Sequence, residues 1–300
     1  MGLRRILQSL RWQWIILLLI APIAVESSVE TNALTPKEHA LKKIKEAGIS
    51  DSLVAALEQA YLPEQRDRIV ELNVLGFLSK GDYSGHYSKR AVQKCREFIA
   101  RYQRKLKQVE ARSGVPKEVI AALLWVETKH GTQTGRYPVA NVYFSLLQAD
   151  HPEVMKATLS ALRNRAPASV TEHRQKVIDR SIAKSNWALT ELKSLSEIHR
   201  KNPRSVSMLF GSYAGAFGIP QFIPSSYLQW ARPNQSKGGA DLFKMEDAIQ
   251  SVAFYLKSNG WKPVDVPSQT DALFHYNRAQ GYVEVILKIA QCTRHGQRGC

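Results

Sequence analysis

Cysteine is scarce in this 300-residue chain, and its scarcity narrows the chemistry. Only Cys95, Cys292 and Cys300 occur. None stands at a spacing to histidine or to another cysteine that a zinc site uses. In an oxidising compartment one pair can close and leave one thiol free. Cys292 and Cys300 flank a short tail, TRHGQRG, and can form a small loop; Cys95 lies in a helical pattern and reads as a small buried residue. Acidic residues are also few: 26 Asp and Glu stand against 42 Lys and Arg, a formal net charge of +16. Such a balance suits a polyanionic partner, whether nucleic acid, an anionic membrane surface or an acidic polymer. Internal repeats, low-complexity tracts and paired alternating strands are missing. The chain therefore reads as mainly α-helical, with room for a short hairpin that the pattern does not place.

Long apolar runs are short in supply as well. The one candidate is N-terminal: Arg4, Arg5 and Arg11, an apolar stretch from Trp14 to Val25, then small and polar residues. This is a basic region followed by a hydrophobic one, the plan of a secretory signal. The stretch is brief for a membrane span, although a tilted segment from Leu10 to Val25 can serve as an uncleaved inner-membrane anchor. Residues 1–30 are therefore expected to export the chain, as a cleaved signal peptide or as an anchor. No cysteine follows the run, so a lipid anchor is not indicated.

What is present is helical punctuation. Thr35 and Pro36 start a first helix and Gly48 ends it; Ser50 or Asp51 can cap a second. The polar stretch SKGDYSGHYS reads as a linker. From Lys89 to Ser113 the spacing predicts one long basic helix with Val92, Phe98, Ile99, Tyr102, Leu106 and Val109 as its apolar stripe, ended by Gly114. Residues 154–200 add helical material with a stripe of Trp187, Leu192, Leu195 and Ile198. The segments MEDAIQSVAFYLKSNGW and GYVEVILKIAQ supply two more helices.

One stretch resists a purely structural reading. In ALLWVETKHG, Pro116 can open a helix as its first-turn residue and Gly131 can close it. Val119, Ile120, Leu123 and Leu124 recur at helical spacing, and Glu127 falls on their face. It also lies in the last turn, where the helix dipole disfavours negative charge. A carboxylate there costs stability twice over. Further on, GSYAGAFGIPQFIPSSYLQW carries Gly211, Gly215 and Gly218, residues that permit close backbone approach or positive φ. No Lys-Ser/Thr pair follows, so this is not a phosphate loop. Pro224, Ser225 and Ser226 read as a helix start.

Four motifs stand in order: Glu127-Thr128-x-x-Gly131, GSYAGAFGIPQFIPSSY, DAIQSVAFYLKSNGW and YNRAQGY. Together they resemble the lytic murein transglycosylase B family over roughly residues 40–290. The resemblance implies a mainly α, lysozyme-like catalytic domain over 109–291, an added α-helical part over 31–108, and a tail from 292 to 300. It implies peptidoglycan glycan strands as substrate, cut between N-acetylmuramic acid and N-acetylglucosamine without water to leave 1,6-anhydromuramic ends. The sugar's own 6-hydroxyl attacks, so one carboxyl suffices where most glycosidases need two. Glu127 would be that acid and base, with its pKa raised by burial. Ser212 and Gln221 match sugar-binding positions, with Pro220 where the family usually has glycine. Tyr276, Asn277 and Tyr282 match the later tyrosine and asparagine positions, an aromatic and amide set suited to sugars. His130 takes a place often held by an aromatic, which leaves its role open.

The resemblance further implies the periplasm as location, no cofactor and no nucleic acid. Members of the family can carry a calcium loop before the DAI helix. Here Pro233, Gln235, Lys237 and Gly239 stand at its alternating positions, a poor set for calcium, so no metal is expected. Lys237 is expected to pair with Asp241 or Asp247, and Asp247 to cap its helix or to pair with a lysine. Two rivals remain. A hydrolytic muramidase needs a second carboxylate, for which Asp241, Glu246 and Asp247 are the later acids. A non-catalytic basic wall-binding protein needs no Glu127. Nucleic-acid binding fits the charge but conflicts with export and has no motif.

Overall fold

The computed structural model describes residues 33–79, 81–202, 206–234 and 239–295. The export segment and Lys237 lie outside those residues. Thirteen α-helices are described, joined by turns and by several longer loops. They are α1 (Pro36–Glu46), α2 (Asp51–Ala60), α3 (Pro63–Val74), α4 (Lys89–Arg101), α5 (Gln103–Ser113), α6 (Lys117–Thr128), α7 (Val139–Leu146), α8 (Pro152–Arg165), α9 (Val170–Lys201), α10 (Pro224–Trp230), α11 (Met245–Ser258), α12 (Val266–Tyr276) and α13 (Gln280–His295). Where the sequence left room for a local hairpin, the described pairing is instead long-range, a two-residue antiparallel pair of β1 (Tyr137–Pro138) with β2 (Phe210–Gly211). Its strands lie far apart in sequence, which is why local pattern cannot place it. Among the described residues no helix is long and apolar enough to cross a membrane.

From Leu34 onward the chain forms one compact unit. Local signals start its helices: Thr35 accepts from Glu38 N, and the Glu38 carboxylate accepts from Thr35 N, a reciprocal cap worth about 1 kcal/mol. Helices α1–α3 lie beside α7–α9, with α3 touching α7, α8 and α9. A second group, α4, α5, α11 and α13, surrounds α6. Both α6 and α7 are buried on nearly every side, as helices apolar all round must be.

Two expectations need correction. The helix foreseen from Lys89 to Ser113 is broken at Tyr102, whose φ of −104° and ψ of 24° leave the helical region. The break lets α5 run against α11 while α4 lies on α6 and α13. Pro116 precedes α6 as its extended cap residue and is not inside it. Cys95 is a free, buried thiol, Cys292 is disulfide-bonded, and Cys300 lies outside the described residues.

Candidate active site

The last turn of α6 carries Glu127 and then reverses sharply. Lys129, His130 and Gly131 all take positive φ, at 51°, 56° and 88°. Two successive non-glycine residues in that region are costly. Surrounding bonds hold them. Thr128 Oγ1 donates to Ile219 O at 2.8 Å and accepts from Gly131 N at 3.0 Å. His130 Nε2–H donates to Ala121 O at 2.9 Å, and its ring stacks on Phe98 with centroids 4.2 Å apart. Burial pushes the His130 pKa down to about 4, so the ring is neutral at pH 7. It fills the aromatic place that the sequence left open.

Glu127 keeps a partial opening to solvent, but its carboxyl is closely enclosed. Desolvation raises its pKa to about 7, against a smaller lowering by the Tyr282 hydroxyl. That hydroxyl donates to Glu127 Oε1 at 2.5 Å. Among the described residues no lysine or arginine pairs with Glu127, so the carboxyl is not a salt-bridged core residue.

Tyr282 is 1% exposed and belongs to an aromatic row. It stacks on Tyr276 at 6.3 Å and meets Tyr83 edge-on at 5.7 Å. Tyr276 packs edge-on against Tyr255 at 4.7 Å and donates to Pro220 O at 2.5 Å. The proline found where the family usually has glycine thus supplies an anchor through its carbonyl. Asn277 Nδ2 donates to the Tyr83 hydroxyl at 3.1 Å.

Tyr83 lies in the stretch expected to be a linker, and the sequence reading missed it. The stretch packs against the site: Trp125 Nε1 donates to His86 O at 3.3 Å, and Lys129 Nζ lies 3.0 Å from His86 Nδ1. The available signal was composition. Tyr83, His86 and Tyr87 are too many rings for a solvated connector.

The glycine-rich segment forms the neighbouring wall. A Cβ at Gly215 would come within 2.5 Å of the Tyr143 ring, and one at Gly218 within 2.5 Å of Leu242 Cβ. Ser212 Oγ accepts from Ala214 N and Ala216 N, each at 3.3 Å, which leaves its own hydrogen for another partner. Gln221 takes φ 53° and spends its amide hydrogens on Thr134 O at 3.1 Å and Gly218 O at 2.9 Å. Its amide oxygen is left as the acceptor. Among the described residues neither side chain bonds to Glu127. The structure therefore joins Glu127, Tyr282, Tyr276 and Asn277 through a bonded and stacked row, and sets Ser212 and Gln221 in the adjacent loop.

The later acids have other work. Asp247 neither caps its own helix nor pairs with a lysine. Its two oxygens accept from Asn234 N at 2.8 Å and Asp241 N at 2.7 Å, tying together the two ends of the loop before α11. Asp241 accepts from Phe243 N at 3.0 Å. Neither acid is among the groups that set the Glu127 pKa. Among the described residues no group of three or more His, Cys, Asp or Glu is placed to hold a metal.

Comparison with known proteins gives this geometry a family. Residues 38–271 match the Transglycosylase SLT domain, most of the chain, and the chain belongs to that family. It is 29% identical over 164 residues to membrane-bound lytic murein transglycosylase B of Escherichia coli K12; the match covers 55% of this chain and 37% of that relative. The fold is shared with soluble lytic transglycosylase SltB1 of Pseudomonas aeruginosa, at 19% identity and a TM-score of 0.62 over 88% of this chain and 99% of that one. It is also shared with SltB3 of the same organism, solved in complex with NAG-anhNAM-pentapeptide, at 17% identity and a TM-score of 0.63 over 88% and 80%. The lysozyme-like, mainly α architecture expected from sequence is therefore shown.

Proposed function

We propose, with that membership as premise, that this chain is a peptidoglycan lytic transglycosylase with Glu127 as its single acid and base. The observation that carries the reading is one enclosed carboxyl with a pKa near 7, a tyrosine hydroxyl as its only described hydrogen-bond partner, and no second carboxylate among the groups that tune it. At neutral pH a large fraction of Glu127 is protonated and able to donate. The proton goes to the glycosidic oxygen as the bond from muramic C1 to that oxygen breaks. The sugar's acetamido oxygen steadies the positive charge at C1. Glu127, now a carboxylate held by Tyr282, takes the proton of the 6-hydroxyl as that oxygen closes on C1. The proton count balances, no water is consumed, and the product end is 1,6-anhydromuramic acid.

The other residues orient the strand. Tyr276, which is partly exposed, offers aromatic surface, and Asn277, Ser212 and Gln221 offer polar atoms for hydroxyl and acetamido groups, while the buried Tyr282 serves by holding the Glu127 carboxyl. The NAG-anhNAM-pentapeptide bound by one structural relative fits this substrate class. On this reading residues 109–291 carry catalysis and the helical part before them supports it, with boundaries that fall inside α5 and α13. This is a division of labour and not of packing, since α4 and α5 lie against α6 and α11. Export by residues 1–30 would place the enzyme in the periplasm, free or anchored in the inner membrane. A reporter fused after residue 40 should then be active only outside the cytoplasm.

The test is mass analysis of sugar ends after incubation of the purified chain with murein. Anhydro ends without reducing muramic acid are expected. Reducing muramic ends would move the assignment to a hydrolytic muramidase, and intact strands would leave only a wall-binding protein.

A further inference from the structure

Helix α9 carries Lys176, Arg180 and Lys184 each one turn beyond the last, so that one of its faces presents a row of cations. Aromatic rings lie under them. Lys176 Nζ stands 4.2 Å and the Arg180 guanidinium 5.3 Å from the centre of the Phe77 ring, and Lys184 Nζ stands 4.3 Å from that of Trp187. A charge run on a helix is ordinarily a solvated face, and the exposed Lys176 fits that description. Arg180 and Lys184 do not, because both are half-buried. Among the described residues neither forms an ion pair, whereas the half-buried Lys43 meets Asp150 at 2.6 Å and Arg66 meets Asp67 at 2.8 Å.

Desolvation lowers the pKa of both groups. No acid opposes it, and for Lys184 repulsion from Arg180 adds to it. Arg180 has a structural duty as well. Its Nε donates to Val74 O at 2.7 Å and its Nη2 to Asn73 O at 3.0 Å, which closes the end of α3, where the dipole favours a cation. Those bonds fix one edge of the guanidinium. The other edge, made by the Nη1 hydrogens and the second hydrogen of Nη2, meets no acceptor among the described residues. Nor does the Lys184 ammonium, which rests on the face of Trp187. Like charges held together out of water without a counterion cost free energy that an arriving anion returns.

We infer that Arg180 and Lys184 form a phosphate site, in which the free guanidinium edge takes two oxygens of a phosphate dianion and the Lys184 ammonium takes a third. The site is separate from the row around Glu127 and does not depend on the glycan reading. Charge selects the ligand. A phosphomonoester carries about −1.5 to −2 at pH 7 and matches both uncompensated cations, where a carboxylate matches one. Oxygen count selects it too, since the two oxygens of a carboxylate are filled by the Arg180 edge alone. The Phe77 and Trp187 faces beside the cations suit an organic body on the phosphate. Free phosphate and a phosphomonoester are thus two sources of one chemistry. Either would tie the middle of α9 more firmly to the end of α3.

The experiment titrates the full chain with inorganic phosphate and with phenyl phosphate at constant ionic strength, with acetate as the carboxylate control. Tryptophan fluorescence and melting temperature are followed together, and Trp187→Phe identifies the local signal among the six tryptophans. Phosphate should give a saturable change in the Trp187 signal and raise the melting temperature. Its affinity should exceed that of acetate by about tenfold or more, and Lys184→Gln should lower it by about tenfold. Arg180→Lys keeps the charge but loses the fork, and should weaken binding as well. Should that variant lose its fold with the cap of α3, Lys184→Gln, which caps nothing, carries the test by itself. Tighter binding of phenyl phosphate assigns the rings to an organic body, and tighter binding of inorganic phosphate assigns the site to the free ion; both support the inference. An unchanged Trp187 signal, an equal response to acetate, or full affinity in folded Lys184→Gln overturns it.

Discussion

The two ends of α6 carry two glutamates with desolvated carboxyls and opposite fates. Glu118 lies in the first turn and is 6% exposed. Desolvation is the largest influence on it and pushes its pKa up. Hydrogen bonds from its own backbone, Lys117 and Arg294 outweigh that and bring it below the usual carboxylate value. Lys117 Nζ lies 3.2 Å and Arg294 Nη2 3.3 Å from its oxygens, and the helix dipole adds favourable potential at this end. Glu127 sits at the opposite end with one neutral hydroxyl and no cation. Burial alone does not make a proton donor; burial without a counterion does. In a chain of net charge +16, keeping every described cation away from Glu127 is itself a structural feature.

The comparison can be broken most strongly by removing each charge. Glu127→Gln keeps shape and hydrogen bonding but cannot cycle a proton. Its activity on murein should fall by about two to four decades while the fold holds. Glu118→Gln, assayed beside it, should stay within about tenfold of wild type. Equal losses in the two variants would mean that Glu127 acts only through the fold.

Stability should separate the same pair with opposite signs. Glu127 has a folded pKa raised from 4.5 to about 7. The folded state therefore binds more protons than the unfolded state between those values, and wild-type stability falls as pH rises through that window. Glu127→Gln should be more stable than wild type at pH 8, by up to about 3 kcal/mol, and match it near pH 4. The lowered pKa of Glu118 works in reverse. Its contribution is present above pH 4.5 and lost as pH falls through the folded value. Glu118→Gln should thus be less stable at neutral pH by about 1–2 kcal/mol and converge with wild type in acid. Urea unfolding across the pH range reads both.

How much of this was legible in the sequence differs from one residue to the next. Glu127 stood out because a charged residue broke an apolar helical face, and four ordered motifs gave it a family. The break at Tyr102 was not legible, because the apolar stripe continues across it and only the packing of α5 on α11 demands the bend. Tyr83 was hidden by its polar neighbours, since its role depends on Asn277 and Tyr282, nearly two hundred residues away. The β1–β2 pairing and the work of Asp247 on two backbone amides were hidden for the same reason: each is a long-range or loop bond with no periodic signature. Pro220 departs visibly from the family's usual glycine, but the bond that Tyr276 donates to its carbonyl spans more than fifty residues and leaves no local signature.

Smaller effects sharpen the comparison. Tyr282→Phe removes the one group that lowers the Glu127 pKa. The alkaline limb of the kcat/KM profile, where Glu127 loses its proton, should move to higher pH, with an activity loss of about tenfold from lost orientation. An unmoved limb would mean that the hydroxyl does not tune the carboxyl. The smallest effect concerns Asp247, a third buried carboxylate, which is satisfied by backbone amides. Calcium should leave the melting temperature unmoved. A calcium-dependent rise that Asp247→Asn abolishes would show that the loop before α11 is a metal site after all.

The central claim is that one helix holds an ordinary structural carboxylate at its start and a proton-cycling acid at its end. Carbon-13 labelling of the glutamate side chains, with assignment by Glu127→Gln and Glu118→Gln, lets both carboxyls be titrated by NMR in the same folded protein. Glu127 should titrate near pH 7 and Glu118 below 4.5. If Glu127 instead titrates at the ordinary value, it is ionised at working pH, cannot donate to the leaving oxygen, and the single-acid account is contradicted.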